Sequence, residues 1–349
     1  MNTLRENLKA LSEAVAVAGD EAEVRQYIRD QIKDHVSSIT VDAMGNLDAK
    51  LNSSGQSPLK VMISAHMDET GLMVSTVSSS GTLSVMAVGR LDMRFWGGAR
   101  VLVGKDKVPG VIQFGPIHKT HGQNSVPEVN GLTVDVGASD KGGAKAKPGD
   151  RIAFMGDYRE LSETVVRGKA LRGRAGCAVL MEVIRALSEN PLPYELHAVF
   201  TTQAMVFARG AKVAAQRIQP HFAITLYGAN CNDLPRTELE DNTPLITLGG
   251  GPTLGLADVW LMADRRAAQI VQDAAGRASV PLQIDSMPAM RTDGSTVSTA
   301  VEGVPTAILG IPVRYMEGPN ALINLSDLDH TARLLQETLR TLTPELLKH

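Results

Sequence analysis

Cysteine is almost missing from this 349-residue chain, with Cys177 and Cys231 its only two. Two thiols cannot build a disulfide framework, and they lack zinc-knuckle spacing, so both are expected to be reduced, Cys177 as a small core residue in a helix. A strong charge of either sign is missing too. The net charge of -3 gives no reason to expect nucleic acid or an anionic lipid surface as a partner. No apolar run is long enough to span a bilayer, and Met1-Asn2-Thr3-Leu4-Arg5-Glu6 contains no apolar signal segment. A cytoplasmic protein without a membrane partner is therefore expected. Long repeats and low-complexity segments do not stand out, and Gly249-Gly250-Gly251-Pro252 lacks the lysine of a phosphate loop and reads as a turn.

Against those absences stand 43% hydrophobic and 21% charged residues, the balance of a globular protein. The length exceeds one ordinary core, so two domains are expected. Leu4, Leu8, Leu11 and Val15 recur at helical spacing, as do Val24, Ile28 and Ile32. Strand-like runs follow at 38–42, 46–51 and 59–64. From about Gly71 to Val165 the texture changes to short β-rich runs between Gly, Pro and polar turns, at 72–77, 82–88, 100–103, 110–114, 132–136 and 151–154. Helix and strand then alternate again. Helices are expected at 176–188, from Arg209, and at 263–278, 295–301 and 328–342, with strands at 195–201, 222–226, 282–285 and 305–309. The fold class is α/β: a mixed sheet flanked by helices, built from 1–70 and 166–349, with a small β-barrel-like domain inserted at 71–165.

One short motif carries chemistry. The strand before His66 is apolar, and His66 and Asp68 share parity, so an extended backbone turns both to one face at the strand's carboxyl end. An imidazole oriented by a nearby acid is a common metal-ligand arrangement, although His-x-Asp alone is more often a hydrogen-bonded structural pair.

Five stretches together resemble the M42 metallo-aminopeptidases, the family of glutamyl, deblocking and tetrahedral self-compartmentalising enzymes. They are S-A-H-M-D-E-T-G-L-M-V at 64–74, G-K-A-L-R-G-R-A-G-C-A at 168–178, V-F-T-T-Q at 199–203 with Ala208-Arg209-Gly210-Ala211, Arg291-Thr292-Asp293-Gly294, and E-G-V-P-T-A-I-L-G-I-P-V-R-Y at 302–315. The resemblance covers nearly the whole chain. It implies a sheet-and-helix catalytic domain, with the 71–165 insert as the dimerisation domain from which assemblies up to a dodecamer are built. It also implies two divalent metals, zinc or cobalt, held by two His and three carboxylates beside a general-base Glu.

Carried over position by position, His66 matches a metal ligand and Asp68 the acid that orients it. The other positions depart. Arg172 stands where the resemblance implies a bridging Asp, Ala204 and Met205 where it implies a base and a ligand, Tyr227 where it implies a carboxylate, and Glu317 where it implies a His. Neither Ala nor Met offers a hard donor, and Arg172 brings a fixed positive charge. Arg172 is expected to occupy the bridging position and pair with Asp68, Glu317 or both, the alternative being that it turns out to solvent and leaves a water-filled pocket. No bound metal is therefore expected, and His66 and Asp68 read as remnants of a dismantled centre.

Three functions fit this pattern. One is a catalytically silent relative acting as a structural or regulatory subunit, alone or with an active M42 paralogue. Another is a working aminopeptidase with a rearranged metal site, and the third is a binder of short peptides or amino acids. Other residues read more plainly. Tyr227 is expected to fill space at a strand end, Trp96 to anchor the β insert, and Thr292-Asp293-Gly294 to cap a helix. His118 and His121 resemble a metal pair by type only.

Overall fold

The computed structural model describes residues 2–113, 128–233, 246–286 and 291–348, so His118 and His121 lie outside the described residues. Two helices open the chain, α1 (Asn2–Glu13) and α2 (Ala22–Ile32), followed by strands β1 (Ser38–Val41), β2 (Leu47–Lys50) and β3 (Lys60–His66). Next come β4 (Gly71–Val77), β5 (Leu83–Val88), β6 (Arg100–Val103), β7 (Val108–Ile112), β8 (Thr133–Asp135) and β9 (Arg151–Phe154). Strands β10 (Arg159–Glu160) and β11 (Val165–Gly168) lead into helix α3 (Leu171–Ser188). The chain continues through β12 (Glu195–Thr201), α4 (Arg209–Ile218), β13 (Phe222–Asn230), β14 (Thr253–Gly255), α5 (Arg265–Ala278) and β15 (Gln283–Asp285). It finishes with α6 (Gly294–Val297), β16 (Thr306–Val313), β17 (Ala321–Asn324) and α7 (Leu325–Thr341).

Among the described residues, eight strands make one mixed sheet in the order β1-β2-β12-β3-β13-β16-β14-β15. The central strands β12, β3, β13 and β16 run parallel. A parallel strand covered on both faces must be apolar on both, which is why β16 is buried at every position and β3 at all but its first. Helices α1, α2, α3, α5 and α7 contribute to the core on one face, where Leu8, Ile28, Leu180, Val271 and Leu335 meet the sheet. On the other face Ala211, Ala214 and Ile218 of α4 and Val297 of α6 pack on Met62 and Val199. Strands β4 to β9 close a separate barrel with its own core, in which Trp96 is fully buried and stacks on Phe154 at a centroid distance of 4.0 Å. Trp96 is thus the anchor its sequence context suggested. No helix among the described residues is long and apolar enough to cross a membrane.

Three departures from the expected elements have physical causes. Helix α3 starts at Leu171 rather than Gly176, because Gly173 and Gly176 weaken the helical signal but are required by packing. A Cβ on Gly173 would lie 2.4 Å from His66 Cε1, and one on Gly176 3.1 Å from Leu226 Cβ. Strand β13 runs on to Asn230, so Tyr227 sits inside the strand and not at its end. Strands β10, β11, β14 and β17 are two to four residues long, too short to show a period.

One buried charge cluster fastens β2 to β12. His197 is 8% exposed, with Nδ1 2.9 Å from Asp48 Oδ1 and Nε2 2.8 Å from Glu195 Oε1. Arg217 and Lys50 close the outer sides by pairing with Asp48 and Glu195. Burial pushes the His197 pKa down, but the hydrogen bonds and charges of Asp48 and Glu195 outweigh it, and the net displacement is upward. Its stabilisation is therefore fully present below the unfolded value of about 6.5 and is lost as pH rises through the higher folded value. Glu195 is held at about 2, chiefly by Lys50, so its own titration lies far below that window. Denaturant midpoints measured across neutral pH should fall as pH rises, and His197→Gln should flatten that slope.

Candidate functional site

The carboxyl ends of β3 and β12 and the middle of β13 meet under the first turn of α3, where open α/β sheets place ligands. His66 is the last residue of β3, and its Nδ1 lies 3.1 Å from the Asp68 carbonyl oxygen and 3.4 Å from Asp68 Oδ1. The Asp68 carboxylate is occupied elsewhere. Its Oδ1 accepts the Ala204 N–H at 3.0 Å and its Oδ2 the Met205 N–H at 2.8 Å. That clamp holds a turn in which Gln203, Phe207 and Ala208 take φ of 53°, 72° and 52°. Left-handed backbone at non-glycine residues costs of order 1–3 kcal/mol each and persists only where its surroundings enforce it.

Arg172 enters from the first turn of α3, preceded by Ala170 at φ 57°. Close packing of α3 on β13 depends on Gly228, whose Cβ would sit 2.8 Å from Arg172 Cα. The guanidinium Nη1 lies 3.2 Å from Glu317 Oε1. Burial lowers the Arg172 pKa from its usual value while Glu317, Asp68 and Asp293 oppose the shift, and an arginine so surrounded stays a cation. Of the two acids expected to pair with Arg172, Glu317 makes the ion pair, because Asp68 is bound to the backbone.

Two cavities share His66, Arg172 and Met205 in their walls. The first also touches Asp68 and Glu317, and the second Ala204, Tyr227 and Asp293. All seven positions singled out in the sequence therefore converge here. Each cavity is about 20 Å³, room for about one water. Tyr227 does more than fill space, since its hydroxyl lies 2.8 Å from Asp285 Oδ2.

Sequence reasoning missed two participants. Asp293 stands at the N-cap position of α6, but its side chain makes no cap hydrogen bond. It is 5% exposed, its Oδ2 accepts the Thr201 hydroxyl at 2.6 Å, and its Oδ1 is buried with no hydrogen-bond partner among the described residues. Burial raises the Asp293 pKa, opposed by His66 and Thr201. An Asp before a helix carries the same sequence signal either way. The second is Glu69, which lies beneath the site with Lys169 Nζ at 2.6 Å, Arg174 Nη2 at 3.3 Å and the Ala16 N–H at 3.1 Å, all on Oε1. Burial lowers the Lys169 pKa, partly offset by Glu69.

The sequence profile of the M42 glutamyl aminopeptidases matches residues 45–334. The chain belongs to the M42 peptidase family. Lysyl aminopeptidase from Pyrococcus furiosus is 30% identical over 353 residues, covering 97% of each chain. A TET aminopeptidase from a marine sediment thaumarchaeon superposes with a TM-score of 0.93 at 26% identity, covering 99% of this chain and 98% of that one. The Pyrococcus horikoshii TET1 peptidase, which can assemble into a tetrahedron or a large octahedral shell, gives a TM-score of 0.87 at 28% identity, covering 97% and 100%. The M42 member described here thus shares its fold with aminopeptidases over almost its full length.

M42 aminopeptidases are dinuclear metal enzymes, and the donors present do not fit such a centre. Among the described residues, no group of three His, Cys, Asp or Glu is placed to hold an ion. Both Asp68 oxygens accept backbone N–H groups, and Glu317 is paired with a guanidinium. A divalent ion about 4 Å from that guanidinium would be repelled by about 8 kcal/mol at an effective dielectric of about 20.

Two ion pairs here should respond differently to neutralisation. Glu69→Gln strands two buried cations and should cost about 3–5 kcal/mol of unfolding free energy. Glu317→Gln breaks a partly exposed pair and should cost less than about 1 kcal/mol, both read from urea denaturation.

Proposed function

We propose that this M42 member is a non-hydrolytic homologue in which the Arg172–Glu317 ion pair stands in place of the dinuclear centre. The observation that carries this reading is the guanidinium of Arg172 beside His66 and Asp68, hydrogen-bonded to Glu317 at 3.2 Å. His66 and Asp68 are then remnants of a ligand set. Ala204, Met205 and Tyr227 occupy the positions that the resemblance gives to a base and two further ligands. The chain serves as a structural or regulatory subunit, self-associating through residues 71–165 as its dimerisation domain, alone or together with an active M42 paralogue. The separate core of the barrel supports the division into 1–70 with 166–349 and an insert at 71–165. The assembly of the TET1 relative into tetrahedral and octahedral shells supports self-association.

A second reading, a working aminopeptidase with a rearranged zinc or cobalt site, is favoured by the full-length similarity to lysyl aminopeptidase. Metal analysis of protein purified without chelator separates the two. The non-hydrolytic reading expects no tightly held pair of ions and no release of amino-terminal residues from Leu-, Lys- or Glu-initiated peptides after zinc or cobalt is added. About two ions per chain, together with such release, would overturn it.

A further inference from the structure

Beside the plugged cavities, the surface carries an arginine stacked between two exposed aromatic rings. The guanidinium carbon of Arg291 lies 5.8 Å from the Phe207 ring centroid and 5.1 Å from that of Trp260. Phe207 is 74% and Trp260 68% exposed, and Met262, two residues beyond Trp260, is 80% exposed. Folding buries little of this apolar surface, so core packing does not account for it.

Both rings are held from below. Phe207 projects from the strained turn clamped by Asp68, with its own φ at 72°. Trp260 sits at the tip of a tight hairpin in which Ala257 bridges Met262. Asp258 fixes that tip, with Oδ1 accepting the Trp260 N–H at 2.7 Å and Oδ2 the Thr292 N–H and hydroxyl at 2.9 and 2.7 Å. Arg291 Nε donates to Ser295 Oγ at 3.0 Å, and its two terminal nitrogens have no acceptor among the described residues. The same arginine lines the cavity shared by His66, Arg172 and Asp293, where the buried Asp293 Oδ1 also has no hydrogen-bond partner among the described residues.

A guanidinium fixed by its Nε and by two ring faces presents a preorganised planar fork, the geometry that matches a carboxylate through two parallel hydrogen bonds. Flanking rings lower the local dielectric and cover an apolar group next to that carboxylate. We propose that Phe207, Arg291 and Trp260 form a binding site for peptides carrying a carboxylate next to an apolar side chain. This deepens the non-hydrolytic reading by naming a ligand class. Its test reads binding alone, so it can fail while the metal result stands.

Three dipeptides distinguish the source of the carboxylate: N-acetyl-Leu-Glu-amide with a side-chain carboxylate, N-acetyl-Leu-Gln with a terminal one, and N-acetyl-Leu-Gln-amide with neither. Of the two tryptophans Trp96 is buried and Trp260 exposed, so protection from acrylamide quenching reports on Trp260. At least one acidic peptide should protect it saturably, and the neutral peptide should bind at least about tenfold more weakly. Arg291→Gln should abolish that preference, and Arg291→Lys, which keeps the charge but loses the fork, should weaken binding about tenfold. Equal binding of the neutral peptide would overturn the proposal, as would unchanged binding by Arg291→Lys or no saturation below about 10 mM.

Discussion

The buried carboxylate of Glu69 is the constraint on which the site depends. One oxygen receives a lysine, an arginine and a backbone N–H, while Lys169 also donates to the Ala14 carbonyl at 2.7 Å and Arg174 to the Leu11 carbonyl at 2.8 Å. Lys169 and Arg174 are fully buried. Two such cations in low dielectric are tolerable only with their acid in place, so the end of α1, the loop after β3 and the start of α3 are locked to one another. Arg172 belongs to the start of α3, and His66 is the residue of β3 that leads into the loop. Their separation is therefore fixed by a buried cluster whose acid, Glu69, also lines the first cavity.

A second clamp works at the same level. Asp68 gives both oxygens to the turn at 204–205, and that turn keeps its left-handed residues although Ala204 and Met205 offer no charge or hard donor. The turn at which the family resemblance implies a base and a ligand thus keeps its conformation with Ala204 and Met205 in place. This explains how a chain can match a family profile over residues 45–334 while the positions at the centre of its site carry unsuitable side chains. Fold identity resides in Glu69, Asp68 and the glycines that admit close packing, whereas metal chemistry would reside in separate side chains on the same frame.

Much of this was legible in the sequence because periodicity and burial agree. Strands β6, β9 and β12 fall on the residues read as strand-like runs in the sequence, and long helices such as α5 and α7 are displaced by a few residues at most. Legibility failed where a residue's role is set from across the fold. Gly173 obscures the start of α3 because its contact is with His66 on β3, and Asp293 looks like a cap because nothing local reveals that Thr201 takes its carboxylate. The convergence of His66, Asp68, Arg172, Ala204, Met205, Tyr227 and Glu317 followed from the family resemblance. From one chain alone, no spacing rule would have joined positions separated by up to 251 residues.

Charge and volume together locate where ligand chemistry remains available. In the centre, Arg172 is paired with Glu317, and both Asp68 oxygens are already taken by backbone N–H donors. Arg172 and Met205 line both cavities, which have space for about one water each, so a peptide cannot enter without moving Arg172 away from its partner. The rim differs on both counts. The terminal nitrogens of Arg291 have no acceptor among the described residues, and its flanking rings are more than two-thirds exposed. A binding function on this frame is therefore better served at the rim than in the centre. The strained turn held by Asp68 links the two, because the backbone that carries Met205 into the cavity also carries Phe207 out to the surface.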